Sequence, residues 1–184
     1  MGILNTNTSP NLKTERLLLR QVTLADANEV FFLRSDKAVG KYIARPPQKT
    51  LKEAKDYIIA RHKDIESHKI SYWAITLRKE DTLVGTICLW NFTKNHTVAE
   101  VGYDLNPAYQ KQGIMNEALA KVLNFGFEKL ELHQVDAYTQ RKNKGSIALL
   151  QRNKFKKHPT RIDEDFPENI IFELDQFSFN QLLK

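Results

Sequence analysis

The chain has 184 residues, and its 28 Lys and Arg residues outnumber its 22 Asp and Glu residues, giving a formal net charge of +6. Apolar residues make up 41% of the chain and charged residues 27%, which is typical of a folded domain and not of a disordered one. The single cysteine excludes a scaffold of internal disulfides and favours a reducing, cytoplasmic setting. No apolar run is long enough to span a membrane, and no signal peptide is visible. The positive charge leaves three kinds of partner open: a nucleic acid, an acidic surface or a polyanionic small ligand.

Hydrophobic periodicity and capping signals predict a flexible tail over residues 1–11 and one domain over residues 12–184. In chain order the predicted elements are a strand over Arg16–Val22, helices over Thr23–Ser35 and from Thr50 to about Ile65, strands over Ser71–Arg78, Leu83–Phe92 and Thr97–Leu105, a helix over Gly113–Phe127, a strand over His133–Thr139, a helix over Asn143–Arg152 and a strand over Ile170–Phe177. The short turns between the three central strands indicate an antiparallel meander. The whole order predicts a mixed α/β (α+β) domain with a central sheet.

The most informative stretch is the polar loop between the strand that Pro107 stops and the helix that begins at Gly113. The first N–H groups of a helix have no partner within it and lie at the positive end of its dipole, so they can bind a phosphate. Gly113 would let a phosphate approach the backbone, and Lys111 adds a positive charge. From this glycine alone, an ordinary tight turn is the more common explanation. The P-loop and the three-glycine dinucleotide fingerprint are both absent, which disfavours an ATPase or a Rossmann dehydrogenase.

Three separated motifs carry a resemblance to a known family. They are the opening strand Leu12–Arg20, the stretch Glu100–Leu119 with its Glu-x-Gly-Tyr strand and Gln-x-x-Gly loop, and the helix motif Asn143-x-x-Ser146-x-x-x-Leu150-x-x-x-x-Phe155. Together, in this order, they resemble the GNAT superfamily of N-acetyltransferases in its RimJ/RimL-type branch, over about residues 12–177. The resemblance implies a GNAT fold: a mixed, mostly antiparallel central sheet with flanking helices. Its fourth and fifth strands, here Thr97–Leu105 and His133–Thr139, are expected to splay apart.

The resemblance also implies acetyl-CoA as cosubstrate, with no metal. The pantetheine arm of acetyl-CoA is expected to pair with the backbone of Tyr103, Asp104 and Leu105, as an added strand would. It is also expected to form a hydrogen bond with Asn143. The pyrophosphate is expected to bind the loop residues Gln110, Lys111, Gln112, Gly113, Ile114, Met115 and Asn116.

Two lysines depart from the pattern of the branch. Lys111 and Lys154 stand where relatives usually have glycine. If the backbone at Lys111 needs a positive φ, the side chain costs about 1–2 kcal/mol there. The phosphate loop can still work, because its donors are backbone N–H groups.

The implied reaction is direct attack of a neutral primary amine on the thioester carbonyl in a ternary complex. Glu100 is the candidate base, because strand alternation places it on one face with Gly102 and Asp104; the alternative is a structural ion pair with a basic neighbour. Ser146 is the candidate donor to the departing thiolate, in place of the tyrosine that many relatives use. The alternative is a helix-start serine behind an Asn143 cap, its hydroxyl bound to local backbone.

The remaining chemistry-bearing residues receive more ordinary interpretations. Cys88 is expected to be a core residue of an alternating strand and not a nucleophile. The five histidines show no metal-ligand spacing. By resemblance, the segment Tyr42–Tyr72, with Arg61, His62 and Lys63 on its helix, would border the acceptor cleft.

The acceptor and the other partners remain open at this point. The acceptor amine is either a protein N-terminal α-amine, ribosomal proteins included, or a small molecule; a homodimer is left open and no membrane partner is expected. The alternative function is a catalytically silent CoA-binding domain or a basic RNA- or ribosome-binding module. It rests on a basic run without an intervening acid: Arg141, Lys142, Lys144, Arg152, Lys154, Lys156, Lys157 and Arg161. Interleaved exposed aromatics, as in a stacking platform, are absent from that run, so nucleic acid is the less favoured partner, and the run is explained as a field around the CoA phosphates.

Overall fold

The computed structural model describes residues 9–181, which form one eight-stranded sheet with helices on both faces. In chain order the strands are β1 (Leu12–Lys13), β2 (Leu17–Arg20), β3 (Ser71–Leu77), β4 (Leu83–Trp90), β5 (Val98–Leu105), β6 (Gln134–Gln140), β7 (Lys156–Lys157) and β8 (Asn169–Asp175). In space their order is β1-β2-β3-β4-β5-β6-β8-β7. Every neighbouring pair is antiparallel except β5 and β6, which are parallel. The predicted mixed, mostly antiparallel sheet is therefore confirmed.

Four of the helices correspond to the predicted ones. The helices of the described range are α1 (Ala27–Ser35), α2 (Lys37–Gly40), α3 (Leu51–Glu66), α4 (Ile114–Glu128), α5 (Lys144–Arg152) and α6 (Gln176–Asn180). None of them is both long enough and apolar enough to cross a bilayer. The predicted last strand ran too far: it ends at Asp175, whose side chain accepts a hydrogen bond from the Ser178 N–H at 2.7 Å and so caps α6.

The helix starts behave as their capping signals predicted. Thr50 accepts a hydrogen bond from the Glu53 N–H at 3.2 Å and caps α3. At the first helix, the Asp26 carboxylate accepts from the Thr23 N–H at 2.6 Å. The chain makes one 3-10 turn over Leu24–Asp26 before α1 begins. Local hydrogen bonds thus set both starts, and at the first helix Arg20 of β2, which also binds Asp81, adds an ion pair with Asp26 at 2.7 Å.

Two hydrophobic cores lie on opposite faces of the sheet. On one face α4 packs against the strands, and its Leu119 and Val122 side chains are fully buried with Trp73 of β3. On the other face α1 and α3 pack through Leu33 and Ile58. Each fully buried aliphatic side chain contributes about 1.5–3 kcal/mol, so these layers hold the sheet rigidly between the helices.

The start of the described chain is docked onto the sheet. Ser9 is buried, and its hydroxyl accepts a hydrogen bond from the Tyr72 N–H at 3.0 Å. The Pro10 carbonyl accepts from the Trp73 Nε1–H at 2.8 Å. Ser9 and Pro10, at the end of the stretch predicted as a tail, thus both bind β3. The rest of the predicted tail, residues 1–8, lies outside the described residues.

The sheet opens at its one parallel junction. The β5–β6 ladder has three pairs and ends at Glu100 opposite Asp136. Beyond that point β6 continues to pair with β8 along its whole length, while β5 continues to pair with β4. The expected splay of these two strands is confirmed.

The C-terminus of α5 explains one unusual lysine. Lys154 has a left-handed backbone with φ of 63°, and its N–H donates to the Gln151 carbonyl at 3.0 Å. The Phe155 N–H donates to the Leu150 carbonyl at 3.0 Å, and both of these side chains are buried. These two bonds form a Schellman motif, in which glycine is the preferred residue at the left-handed position.

Replacement of this lysine by glycine is therefore expected to stabilise the protein. The left-handed conformation costs a residue with a Cβ about 1–2 kcal/mol, and the greater chain entropy of unfolded glycine offsets part of the gain. We expect Lys154→Gly to raise the free energy of unfolding by about 0.5–1 kcal/mol in urea denaturation. Lys154→Ala keeps a Cβ and is the matched control, expected within a few tenths of wild type. If the glycine variant were no more stable than the alanine variant, the left-handed backbone at Lys154 would not be strained.

Candidate active site

A cleft of about 730 Å³ lies at the parting of β5 and β6. Its walls come from these two strands, from the start of α5, from the α1–α3 side of the sheet and from the loop before β8. Five of the residues predicted from sequence line it: Glu100, Tyr103, Asp104, Asn143 and Ser146. The topology thus brings together side chains from β5 and α5 that are more than forty positions apart in sequence.

The edge of β5 beyond Glu100 presents free backbone groups to this cleft. The Thr97 carbonyl accepts from the His133 N–H at 2.7 Å on the β6 side, and the Val98 carbonyl accepts from the Thr93 N–H at 3.0 Å on the β4 side. Because backbone groups alternate along a strand, those of Val101, Tyr103 and Leu105 face the opening.

Asp104 differs from its neighbours on this strand. Its carbonyl oxygen lies against Gly85 of β4, so close that a Cβ built there would be 2.5 Å from it. Of the three residues expected to pair through their backbone with the pantetheine arm, Tyr103 and Leu105 thus face the open edge and Asp104 faces β4. Asp104 contributes its side chain to the cleft instead.

The loop before α4 holds a continuous run of backbone donors. Gly113 at the helix start has φ of 79°. Lys111 has φ of 61°, which is the positive φ considered for it in the sequence analysis. Among residues 9–181, no hydrogen bond is recorded for the N–H groups of Lys111, Gln112, Gly113, Ile114, Met115 and Asn116. Six consecutive free N–H groups thus lie at the positive end of a fifteen-residue helix, an arrangement that can accept an anion.

The side chains of this loop have mostly structural roles. Ile114 and Met115 are buried in the main core, so they can offer a ligand only their backbone. The Asn116 amide oxygen accepts from the Asn153 side chain at 3.0 Å, which ties α4 to the end of α5. Gln110 and Gln112 are exposed, and the Gln112 amide group donates to the Ala108 carbonyl at 3.0 Å.

A clamp that sequence reasoning missed holds the loop in place. The Glu117 carboxylate accepts from the Arg16 side chain at 2.7 Å, from the Arg16 backbone at 3.0 Å and from the Thr14 hydroxyl. The Arg16 guanidinium also donates to the Gln112 carbonyl at 3.0 Å. Burial opposes ionisation of Glu117, but these hydrogen bonds outweigh it and lower the pKa of its carboxyl below the ordinary value. The only sequence signals for this contact were an acid, Glu117, four residues after Gly113 and a basic residue, Arg16, at the start of the predicted first strand.

Glu100 lies where the two strands part, half-buried in the cleft. Its carboxylate accepts a hydrogen bond from the Asn91 side chain at 2.6 Å and has no ion-pair partner within the described part of the chain. Burial raises the pKa of Glu100, and the nearby charges of Asp136 and Asp163 add to the shift, while the Asn91 bond opposes it. The basic neighbour of this part of the sheet, Arg161, pairs with Asp136 at 2.7 Å instead. The structural ion pair considered for Glu100 is therefore absent.

Ser146 is the third residue of α5, behind an Asn143 cap, as its alternative interpretation anticipated. The Asn143 side chain accepts from the Ser146 N–H at 3.2 Å. The Ser146 hydroxyl is not bound to local backbone: its partner is the Tyr103 hydroxyl at 2.8 Å. Burial raises the pKa of Tyr103 to about 12, against the opposing effect of this hydrogen bond, so the phenol stays protonated at neutral pH. The cleft thus contains two hydrogen-bonded hydroxyls, one of which can donate a hydrogen bond to a ligand.

The Asp104 carboxylate lies on the same face of β5 as Glu100, beyond Gly102, and it is buried. It accepts from the Thr86 hydroxyl at 2.6 Å and pairs with Arg45 at 3.1 Å. Arg45 comes from the irregular segment before α3, so this ion pair fastens that segment over the end of β5. Truncating one partner of such a pair leaves a buried charge without compensation.

The segment predicted to border the acceptor cleft does so in part. Residues 42–45, Tyr57, Arg61, Ile70 and Tyr72 line the cleft. His62 binds the Val22 carbonyl at 2.6 Å, and Lys63 is exposed, so neither lines it.

Cys88 lies on β4 in the floor of the cleft, half-buried, and not in the centre of the core. The surrounding protein raises the pKa of its thiol to about 12, which leaves it protonated and poorly nucleophilic. No group of His, Cys, Asp and Glu side chains in residues 9–181 is arranged to hold a metal ion.

Comparison with known proteins identifies the fold that carries this site. The acetyltransferase (GNAT) domain matches residues 16–156, most of the chain. The chain belongs to the GNAT acetyltransferase family. It is 30% identical over 148 residues to the uncharacterized N-acetyltransferase YoaA of Bacillus subtilis (strain 168), covering 80% of this chain and 84% of that protein.

Solved structures share the fold of this GNAT domain at lower identity. The ribosomal-protein-S5-alanine acetyltransferase of Vibrio fischeri superposes with a TM-score of 0.77 and 19% identity, covering 93% of this chain and 99% of that one. The ribosomal L7/L12 alpha-N-protein acetyltransferase RimL, solved with coenzyme A, has a TM-score of 0.79 and 15% identity, covering 92% of this chain and 99% of that one. The resemblance to ribosomal-protein acetyltransferases thus extends to the architecture.

Proposed function

We propose that this GNAT enzyme transfers an acetyl group from acetyl-CoA directly to a primary amine in a ternary complex. The observation that carries the proposal is the parting of β5 and β6 beside the free N–H groups that precede α4. The opening between β5 and β6 offers unpaired backbone groups, and the loop before α4 offers N–H groups for an anion. Acetyl-CoA needs both, because its thioester is carried on an arm with amide groups that ends in a pyrophosphate.

The residues present fit this cosubstrate. The N–H groups from Lys111 to Asn116 would hold its pyrophosphate, and Arg16 lies beside Gly113, with its guanidinium 3.3 Å from the position of a Cβ there. The backbone of Tyr103 and Leu105 would bond with the pantetheine amides, and the Asn143 side-chain N–H groups remain free to donate, since its oxygen caps α5. When bound, acetyl-CoA supplies an activated acetyl thioester.

Glu100 would act as the base. Amines reach the cleft mostly as ammonium ions, and a carboxylate removes the proton, directly or through a water molecule. Burial raises the pKa of Glu100 toward neutral pH, which strengthens its carboxylate as a base.

The Tyr103–Ser146 pair would donate a hydrogen bond to the departing sulfur. The pair lies beside the open edge of β5, and both hydroxyls are protonated at neutral pH. The Val101 N–H faces the same opening and could polarise the carbonyl, as oxyanion donors do.

Acetyl-CoA binding is tested by thermal denaturation. At 100 times its dissociation constant, acetyl-CoA is expected to stabilise the protein by about 2.7 kcal/mol. Gly113→Ala introduces a Cβ at φ of 79° and 3.3 Å from the Arg16 guanidinium, so its ligand-induced shift should be clearly smaller. Gly40→Ala is the matched control, since a Cβ there meets nothing within 4 Å. An unchanged melting temperature of the wild type at millimolar acetyl-CoA would contradict the cosubstrate.

The role of Glu100 is tested by the pH dependence of CoA release with a panel of primary amines. We expect Glu100→Gln to lower kcat by about 100-fold or more, with the acetyl-CoA-induced stabilisation retained. Because the pKa of Glu100 is raised, the wild-type rate should rise with pH through a pKa above that of an ordinary glutamate, and the variant should lose this limb. Glu128→Gln, at the exposed end of α4, is the control. A variant with the wild-type rate and profile would show that another group removes the proton.

The hydroxyl pair is tested by a double-mutant cycle. Ser146→Ala and Tyr103→Phe are each expected to lower kcat by about 10- to 100-fold, with little change in the KM for acetyl-CoA. Since the two hydroxyls act as one unit, the double variant should be about as slow as the slower single variant. Ser67→Ala, which removes an exposed hydroxyl after α3, serves as control. Full turnover in both single variants would rule out a catalytic role for the pair.

A further inference from the structure

One cation in the cleft has no acidic partner. Arg34 of α1 lines the cleft, and its guanidinium lies over the Tyr57 ring, 3.7 Å from the centroid. Among the residues that the structure describes, its side chain makes neither an ion pair nor a hydrogen bond, and its Nε is buried. A partly buried guanidinium with free N–H groups is costly unless something binds it.

The other two arginines on this wall are paired. Arg45 pairs with Asp104 at 3.1 Å, and Arg61 pairs with Asp64 at 2.6 Å. Asp104 is therefore already taken by Arg45 and Thr86. Arg34 also lies close enough to Arg45 and Asp104 to feel the charges of both, and it lines the cleft without an ion pair of its own.

Charges of the opposite sign lie elsewhere in the same cleft. Besides Asp104, its acidic lining comprises Glu100 on β5 and three consecutive acids of the loop before β8: Asp163, Glu164 and Asp165. These acids would attract an ammonium ion toward Glu100, the proposed base. The arginine group lies instead at the Asp104 end of β5, and four residues of extended strand separate the two ends by about 13 Å.

We propose that the acceptor of this enzyme is a primary amine that also carries an anionic group, a carboxylate or a phosphate, and that Arg34 binds that group. The proposal rests on the acetyltransferase function above and adds its substrate class. The planar guanidinium, which lies over the Tyr57 ring, offers paired donors that match a carboxylate or phosphate. A free amino acid and a peptide with an acidic side chain share this chemistry.

The proposal is tested with acceptor pairs that differ only in the anionic group. CoA release would be measured with γ-aminobutyrate and ε-aminocaproate against their amides, with ethanolamine phosphate against ethanolamine, and with Ser-Glu against Ser-Gln peptides. We expect the wild-type enzyme to favour the anionic member of at least one pair by about tenfold or more in kcat/KM. Which pair responds distinguishes a small amino acid, a phosphate ester and a peptide.

Variants assign that preference to Arg34. Arg34→Met should abolish it while leaving turnover of the neutral amines within a few-fold, and Arg34→Lys should retain part of it. Lys63→Gln removes a nearby charge of the same sign outside the cleft and should keep the full preference. The acetyl-CoA-induced thermal shift shows that each variant is folded.

Two results would overturn the proposal: equal use of anionic and neutral amines by the wild type, or an undiminished preference in Arg34→Met. Should Arg34→Met not fold, Arg34→Lys and the wild-type preference decide. Absence of turnover with every amine would contradict the acetyltransferase function itself. In that case calorimetric titration of ε-aminocaproate into wild type and Arg34→Lys still tests the anion contact, and no binding to the wild type would reject it.

Discussion

The structure depends on one interruption of hydrogen bonding, the end of the β5–β6 ladder at Glu100 and Asp136. Buried backbone groups must find partners, and a strand edge inside a sheet is a place where they lack them. Here β6 continues with β8 and β5 continues with β4, and the two strands diverge after three pairs. The opening is stable because each strand is satisfied on its far side, and it leaves backbone donors and acceptors for an extended ligand.

Rigid packing around the opening positions every group proposed to act there. α4 is fixed to the sheet by a continuous core, and its first turn is held by the contacts of Arg16 with Glu117 and Gln112. α5 starts at its Asn143 cap, which orients Ser146 toward Tyr103. Of the charged side chains of the cleft, Glu100 and Asp104 lie on β5 and Arg34 on α1, whereas Arg45 and the acids at 163–165 lie on connecting segments. A site built on strands and helix starts holds its geometry better than one built on loops alone.

The surplus of +6 is distributed unevenly over the molecule. The basic run near α5 is exposed, but its members have different roles: Lys154 ends a helix, and Arg161 pairs with buried Asp136. The acids of the following loop line the cleft, and the arginines of the α1–α3 side face it from elsewhere. Net charge therefore says less about the partner of this protein than the few charges left unpaired within the cleft.

The sheet, its four main helices and the capped starts of two of them followed from the sequence, because periodicity, caps and turn residues act over a few neighbouring positions. Beyond such local signals, the sequence pointed to the loop before α4 and to the unusual residues Lys111 and Lys154 only together with a family resemblance. It also placed Glu100, Asn143 and Ser146 at the cleft, through motifs whose spacing a known family shares. The packing of the elements settled that the Ser146 hydroxyl binds Tyr103 and that Arg161 pairs with Asp136 and not with Glu100. It also settled that Arg45 pairs with Asp104, while Arg34 has no ion-pair partner among residues 9–181. Each of these outcomes depends on side chains far apart in sequence competing for one partner, and that competition is settled by how the elements pack.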